Sequence, residues 1–103
     1  MPRYLYRTQA TRLGMLTEPT ASEADAVSRH YAYLAANAEA GVVLVAGRTQ
    51  NVDEDTFGII IFEAADGEVA NEFMTNDPAV AEGVMSAAVF PYRVALGGHV
   101  TEG

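Results

Sequence analysis

One hydrophobic segment limits the possible fold more than any other feature of the chain. Residues 57–63, FGIIIFE, are rich in β-branched side chains and are apolar at successive positions, so both faces of the segment need covering. Residues 42–46 have the same character, and Gly47 closes that segment. Strands that are apolar on both faces are typical of the interior of a sheet. The sequence therefore predicts a sheet with residues 57–63 as a central strand.

Two further strands are predicted near the ends of the chain. Residues 4–8 carry aromatic side chains at alternate positions, as strands often do. Residues 84–96 form a long β-rich segment that Pro91 interrupts, and a strand that contains proline lies at a sheet edge or bends there. Residues 12–19 are predicted to be a connecting loop, and the polar, acidic residues 48–56 are predicted to be a hairpin loop.

Two helices are marked by their capping residues. Thr20 and Glu23 have the spacing of a capping box, and Gly41 is placed to end the helix that they begin. Asp66 can cap a second helix that runs through Met74. The element order is then β-α-β-β-α-β. This is the ferredoxin-like α+β arrangement, a four-stranded antiparallel sheet with two helices on one face.

The predicted sheet has one face that the helices cannot cover. Alternation along the central strand sends Phe57, Ile59 and Ile61 to one side of the sheet and Ile60 and Phe62 to the other. An exposed apolar face of this size would promote aggregation. A second copy of the chain is the simplest cover. We therefore expect a homodimer that packs through the open sheet face.

Composition narrows the classes of function. The 103 residues suffice for one domain, residues 1–103, and the net charge is −8 with no lysine and six scattered arginines. Without a basic stripe we expect neither nucleic-acid binding nor binding to an anionic membrane surface. The chain has no cysteine, and its two histidines are far apart, so no metal site is expected. No signal-peptide pattern or membrane-spanning segment is seen, which predicts a cytoplasmic protein.

Three short motifs, in this order, resemble the YciI-like (YCII-related) family of the dimeric α+β barrel group. They are RHYAYL at residues 29–34, LVAG at residues 44–47, and DPAVAEGV at residues 77–84, which leads into FPYRV at residues 90–94. The resemblance implies a small cytoplasmic dimer with a His–Asp dyad, and by motif these residues are His30 and Asp77. One member of the family that the chain resembles is a dehydrochlorinase that acts on a chlorinated hydroxyquinol, and most members have no assigned reaction.

The residues themselves allow a chemical role for His30. Val27, Tyr31, Leu34 and Ala38 are spaced as one apolar stripe on the first helix. His30 is then predicted to lie roughly seventy degrees from the centre of that stripe, at 100° per residue, beside a cleft rather than in the core. Imidazole exchanges protons near neutral pH, which suits a general acid or base. The alternative is a boundary histidine with one hydrogen bond.

Other candidate residues have an ordinary alternative as well. Asp77 precedes Pro78, so it can cap a helical turn, and it can also orient a histidine. Tyr33 is a candidate substrate-binding hydroxyl, or a boundary residue with a hydrated hydroxyl. Arg48 is a candidate for binding an anionic substrate, or a solvated loop arginine. His99 is predicted to be solvated in a glycine-flanked tail.

Two functions from different classes are compatible with this pattern. The first is a cofactor-independent enzyme of the lyase or isomerase type, in which His30 and Asp77 transfer a proton on a small aromatic or enol-like molecule. The second is a non-catalytic dimer that binds a small ligand or assists another enzyme. A third possibility, cofactor-free oxygenation of a polycyclic phenol, rests on analogy of fold alone.

Overall fold

The computed structural model describes residues 1–98, and His99 lies outside them. Four strands form one antiparallel sheet in the order β2-β3-β1-β4, and they are β1 (Arg3–Ala10), β2 (Val43–Arg48), β3 (Gly58–Glu63) and β4 (Met85–Tyr92). The predicted ferredoxin-like α+β fold is confirmed, with β3 inside the sheet and the proline-containing β4 at its edge.

The helices begin at the predicted caps. They are α1 (Ala21–Glu39), α2 (Gly67–Thr75) and the single turn α3 (Pro78–Ala81). The Thr20 hydroxyl accepts from the Glu23 amide while the Glu23 carboxylate accepts from the Thr20 amide, so the capping box is complete. Gly41 follows α1 with φ of +84°, a left-handed conformation that favours glycine at a helix end.

The boundaries of the strands differ from the prediction by up to four residues. β2 extends to Arg48, because Arg48 still pairs with Gly58 of β3. β4 ends at Tyr92 instead of residue 96, because Tyr92 pairs with Arg3, where its partner strand begins. The predicted loop before α1 contains a short 3₁₀ helix, Leu13–Leu16. Strand lengths are thus set by the partner strands, and the local sequence does not reveal them.

The hydrophobic core lies between the sheet and the helices. Tyr6, Ile60 and Phe62 are buried there, on the face that α1 and α2 cover. The Phe73 ring of α2 packs against Phe62 with ring centroids 4.7 Å apart, and Tyr33 of α1 stacks on Phe73 at 5.1 Å. This aromatic packing holds the Tyr6 side chain beneath the helices.

The opposite face of the sheet carries a continuous apolar row. Leu5 pairs with both Ile61 and Phe90, and Ile61 pairs with Val45, so one row crosses all four strands. Phe90 and Val45 are among the exposed large hydrophobic residues. No helix or strand covers this face within residues 1–98.

The buried side of α1 matches the predicted stripe only in part, since Leu34 is buried and Val27 is half-buried. Tyr31 is 74% exposed and Ala38 is also exposed, whereas Ala26 is fully buried and Glu23 nearly so. His30 lies on this buried side, so the predicted offset from the core is wrong. The physical reason is that the polar side chains have partners there: Glu23 binds Arg12, and His30 binds a carboxylate. A hydropathy pattern treats every polar residue as outward-facing and cannot anticipate this.

Candidate active site

Asp77 is the centre of a buried polar cluster. It is completely inaccessible to solvent and caps α3 by accepting from the Ala79 amide at 3.0 Å. Its Oδ2 also accepts from the Tyr6 hydroxyl at 2.7 Å. The His30 Nδ1 lies 2.8 Å from Oδ1 and 2.7 Å from Oδ2. One carboxylate therefore joins β1, α1 and the start of α3.

His30 connects this cluster to a cleft. Its side chain is 14% exposed, and it is one of the residues that line the cleft. Nδ1 faces Asp77, so the other ring nitrogen, Nε2, is on the opposite edge of the imidazole. The structure thus brings the two residues of the predicted pair together, 47 positions apart in the chain.

Burial and the Asp77 carboxylate keep two tyrosines protonated. Desolvation and the hydrogen bond to Asp77 raise the pKa of Tyr6 far above its ordinary value. Desolvation, with a smaller contribution from the Asp77 charge, raises the pKa of Tyr33 to about 12. Tyr6 is therefore a neutral hydroxyl that donates to Asp77. Sequence reasoning missed this residue, since strand alternation marks its face but not its partner.

Tyr33 does not lie where a substrate-binding hydroxyl beside His30 would have to lie. Its hydroxyl donates to the Phe73 carbonyl at 2.8 Å, and its ring stacks on Phe73. It does not line the cleft beside His30. The structure therefore places Tyr33 with the core aromatic rings.

The cleft lies between α1 and the β2–β3 edge of the sheet and has a volume of about 520 Å³. Its walls are mostly apolar, with Tyr31 and Leu34 contributed by α1. Arg48 lines it from the end of β2 and is exposed, and no carboxylate within residues 1–98 lies in salt-bridge contact with it. The cleft thus offers an apolar cavity with an imidazole and a guanidinium in its lining.

An ion-pair network holds α1 against the segment that follows α3. Arg29 binds Asp25 on its own helix, and its Nη2 lies 2.8 Å from Oε1 of Glu82. The two carboxylates raise the pKa of Arg29, and Arg29 lowers the pKa of Glu82. Arg29 precedes His30 and Glu82 follows α3, so this contact helps to keep His30 next to Asp77.

Among residues 1–98 no three His, Cys, Asp or Glu side chains converge as a metal site requires. None of the helices in that part of the chain is long and apolar enough to cross a bilayer.

The fold and the site together define a ferredoxin-like α+β domain with a buried His–Asp contact beside an apolar cleft. The YCII-related domain matches residues 4–93, and the chain belongs to this family. Its fold is similar to that of the 5-chloro-2-hydroxyhydroquinone dehydrochlorinase from Burkholderia phenoliruptrix AC1100, solved in complex with 2,5-dihydroxybenzoquinone. The TM-score is 0.62 at 23% sequence identity, covering 87% of this chain and 93% of the other. None of the curated proteins compared with the chain matches it.

Proposed function

We propose that this protein is a cofactor-independent enzyme of the lyase or isomerase type that moves a proton on a small aromatic or enol-like substrate. The observation that carries the proposal is the contact between His30 Nδ1 and the buried Asp77 carboxylate at the side of a cleft. A catalytic base needs both a proton-accepting atom near substrate and a group that orients it, and this pair supplies both.

The hydrogen bonds support a separate role for each group. Asp77 already accepts hydrogen bonds from the Tyr6 hydroxyl and from the Ala79 amide, so the carboxylate acts as an acceptor in both contacts. His30 then donates its Nδ1 proton to Asp77, which leaves the Nε2 lone pair free to take a proton from substrate. The carboxylate stabilises the imidazolium that forms.

An elimination illustrates the proposed chemistry. Nε2 of His30 removes a proton from the substrate, and the released electron pair forms a new double bond as the leaving group departs with its own pair. A chlorinated hydroxyhydroquinone must first convert to its keto tautomer, in which one hydroxyl has lost its proton to become a carbonyl and the chlorine-bearing carbon has gained a proton. Nε2 then removes the proton of the hydroxyl para to this carbonyl, the O–H electron pair forms the second carbonyl, the ring double bond shifts to the chlorine-bearing carbon, and chloride leaves with the C–Cl pair. The products are a hydroxyquinone, chloride and one proton. The solved neighbour is by name a dehydrochlorinase, so its substrate is the first compound to assay.

We further propose that the working form is a homodimer packed through the open sheet face. The apolar row of Leu5, Val45, Ile61 and Phe90 supports this, since it runs across the whole sheet without a cover in residues 1–98. Burying such a row against its own copy removes apolar surface from water on both chains.

A second candidate function is a non-catalytic dimer that binds a small ligand. One observation favours it: the Asp77 carboxylate has partners from three elements, as a purely structural buried carboxylate would. In that case the pair holds the fold together, and His30 does not transfer a proton.

Turnover in matched variants separates the two functions. The assay measures chloride release from 5-chloro-2-hydroxyhydroquinone and, for a panel of enolisable ring compounds, exchange of carbon-bound hydrogen with heavy water. We expect the wild-type protein to be active and His30→Gln to lose at least about 100-fold in turnover with an unchanged oligomeric state. Tyr92→Phe, at an exposed position outside the cleft, should have near-normal activity. Equal turnover in His30→Gln would exclude the catalytic role. Ligand binding without turnover or exchange in the wild type would favour the second function.

A further inference from the structure

We propose that Thr8, Gly58 and Arg48 form a subsite for the oxyanion of an organic acid, so that the cleft takes a single ring bearing a carboxylate or phenolate. The inference rests on the proposed function in one respect, because it takes the ring of this acid to be the group from which His30 removes a proton. The three residues lie side by side on neighbouring strands, since Gly58 pairs with Thr8 on one side and with Arg48 on the other.

Thr8 has a hydroxyl without a partner at a nearly buried position. Thr8 is only 4% exposed and lines the cleft, yet its hydroxyl makes no hydrogen bond to any of residues 1–98. No fully buried polar side-chain atom in that part of the chain lacks a partner, so this hydroxyl keeps its small accessible surface toward the cleft. A hydroxyl left in this state is available to donate to a ligand.

Gly58 keeps the space between Thr8 and Arg48 open. A Cβ built at Gly58 would stand 2.6 Å from the Thr8 hydroxyl oxygen and 3.3 Å from the Gly47 carbonyl oxygen. It would also lie 3.9 Å from the Arg48 Cβ, so all three positions face the same side of the sheet. A side chain here would cover the Thr8 hydroxyl, and glycine leaves it accessible.

The charge of the cleft favours an anion. The chain has 14 acidic residues and a net charge of −8, yet no Asp or Glu lines the cleft. Arg48 is the one arginine in its lining, and no carboxylate of residues 1–98 neutralises it. Arg3, Arg12 and Arg29, by contrast, are all paired. A guanidinium in a mostly apolar cavity is suited to an oxyanion on an apolar body.

The volume of the cleft limits the size of the ligand. His30 lines the same cleft as Thr8, Gly58 and Arg48, and the cleft has a volume of about 520 Å³. This volume is typical of a site for a small organic molecule. One aromatic or enol ring with an acidic substituent can therefore occupy it.

Binding of benzoate and of benzamide tests the subsite without requiring turnover. The two probes have nearly the same shape, but only benzoate carries a charge, and both are followed by amide NMR titration of the full chain. In Arg48→Met we expect the benzoate affinity to fall at least about 10-fold and the benzamide affinity to change less than about twofold. Thr8→Val should weaken benzoate about 3- to 5-fold. Arg48→Lys should recover part of the loss, because it keeps the charge.

Arg93→Met is the matched control, since it removes the same charge from an exposed arginine outside the cleft. It should leave benzoate binding within about twofold of wild type. Unchanged benzoate binding in both Arg48→Met and Thr8→Val would overturn the subsite. The subsite would also be overturned if sedimentation shows that benzoate binds only when a dimer dissociates. If benzoate binding depends on Arg48 but His30→Gln does not alter turnover, the proposed function fails and the subsite stands.

Discussion

Removing the Tyr6 hydroxyl is the sharpest test of the buried cluster. Tyr6→Phe keeps the ring, which packs edge-on against Phe62 at 5.6 Å, and deletes only the donor that lies 2.7 Å from Asp77 Oδ2. A hydrogen bond to an ionised group contributes about 1.5–3 kcal/mol, and here both partners are fully buried. Asp77 keeps its contact with His30 and the hydrogen bond from the Ala79 amide, so we expect a loss of about 2 kcal/mol in the free energy of unfolding.

Urea and thermal unfolding of three matched variants measure this loss. For a domain of this size about 2 kcal/mol corresponds to a fall in Tm of roughly 8–16 °C. Tyr33→Phe removes a neutral bond to the Phe73 carbonyl and should cost about 1 kcal/mol. Tyr31→Phe removes an exposed hydroxyl and should cost close to nothing. We expect the loss of stability to be largest for Tyr6→Phe, smaller for Tyr33→Phe and smallest for Tyr31→Phe. A cost for Tyr6→Phe no larger than for Tyr31→Phe would refute the account of the cluster.

Alkaline pH gives a second check on Tyr6. Its pKa is raised in the folded protein, so the unfolded chain ionises first, at about pH 10. The Tyr6 contribution is therefore complete below pH 10 and decreases as the pH rises above it, by at most about 1.4 kcal/mol per pH unit. The pKa of Tyr33 is raised to about 12, so Tyr33 also loses stabilisation at alkaline pH, and it does so equally in the wild type and in Tyr6→Phe. The stability difference between wild type and Tyr6→Phe should shrink above pH 10, and a constant difference would contradict the argument.

Two further predictions concern the acid range and the open sheet face. The Arg12 guanidinium lowers the pKa of Glu23 to about 2, so its stabilisation is present above the unfolded pKa of 4.5 and is lost as the pH falls toward 2. Urea unfolding should show that the stability gap between wild type and Glu23→Gln narrows from pH 6 to pH 2, and a gap of constant size would argue against it. Ile61→Asp should convert the proposed dimer to monomer in sedimentation, while Val52→Asp, at an exposed loop position, should not. Dimerisation retained in Ile61→Asp would exclude this sheet face as the interface.

Local features of the fold could be predicted because their physical causes lie within a few residues. The capping box of Thr20 and Glu23 forms as expected, and Asp66 caps α2 by accepting from the Val69 amide. Asp77 likewise caps the turn that begins at Pro78. Hydrogen bonds over two or three residues depend little on the rest of the chain, so these signals survive folding unchanged.

The site could be predicted only in part. His30 and Asp77 were named from the sequence and the structure brings them into contact, although their catalytic role stays a proposal. Tyr6 and Thr8 were missed, because a strand pattern shows which way a side chain points and not what it meets. Tyr33 was expected near substrate and lies among core rings, since rotation of α1 about its axis depends on all of its packing partners.

By itself the sequence determined the order of elements, the helix caps and the need for a sheet that is apolar on both faces. Only the tertiary structure decided which side of α1 is buried and which side lines the cleft. The reason is that hydropathy ranks residues one at a time, whereas burial of a polar side chain depends on a distant partner. Glu23 is buried because Arg12 reaches it, and His30 because Asp77 does.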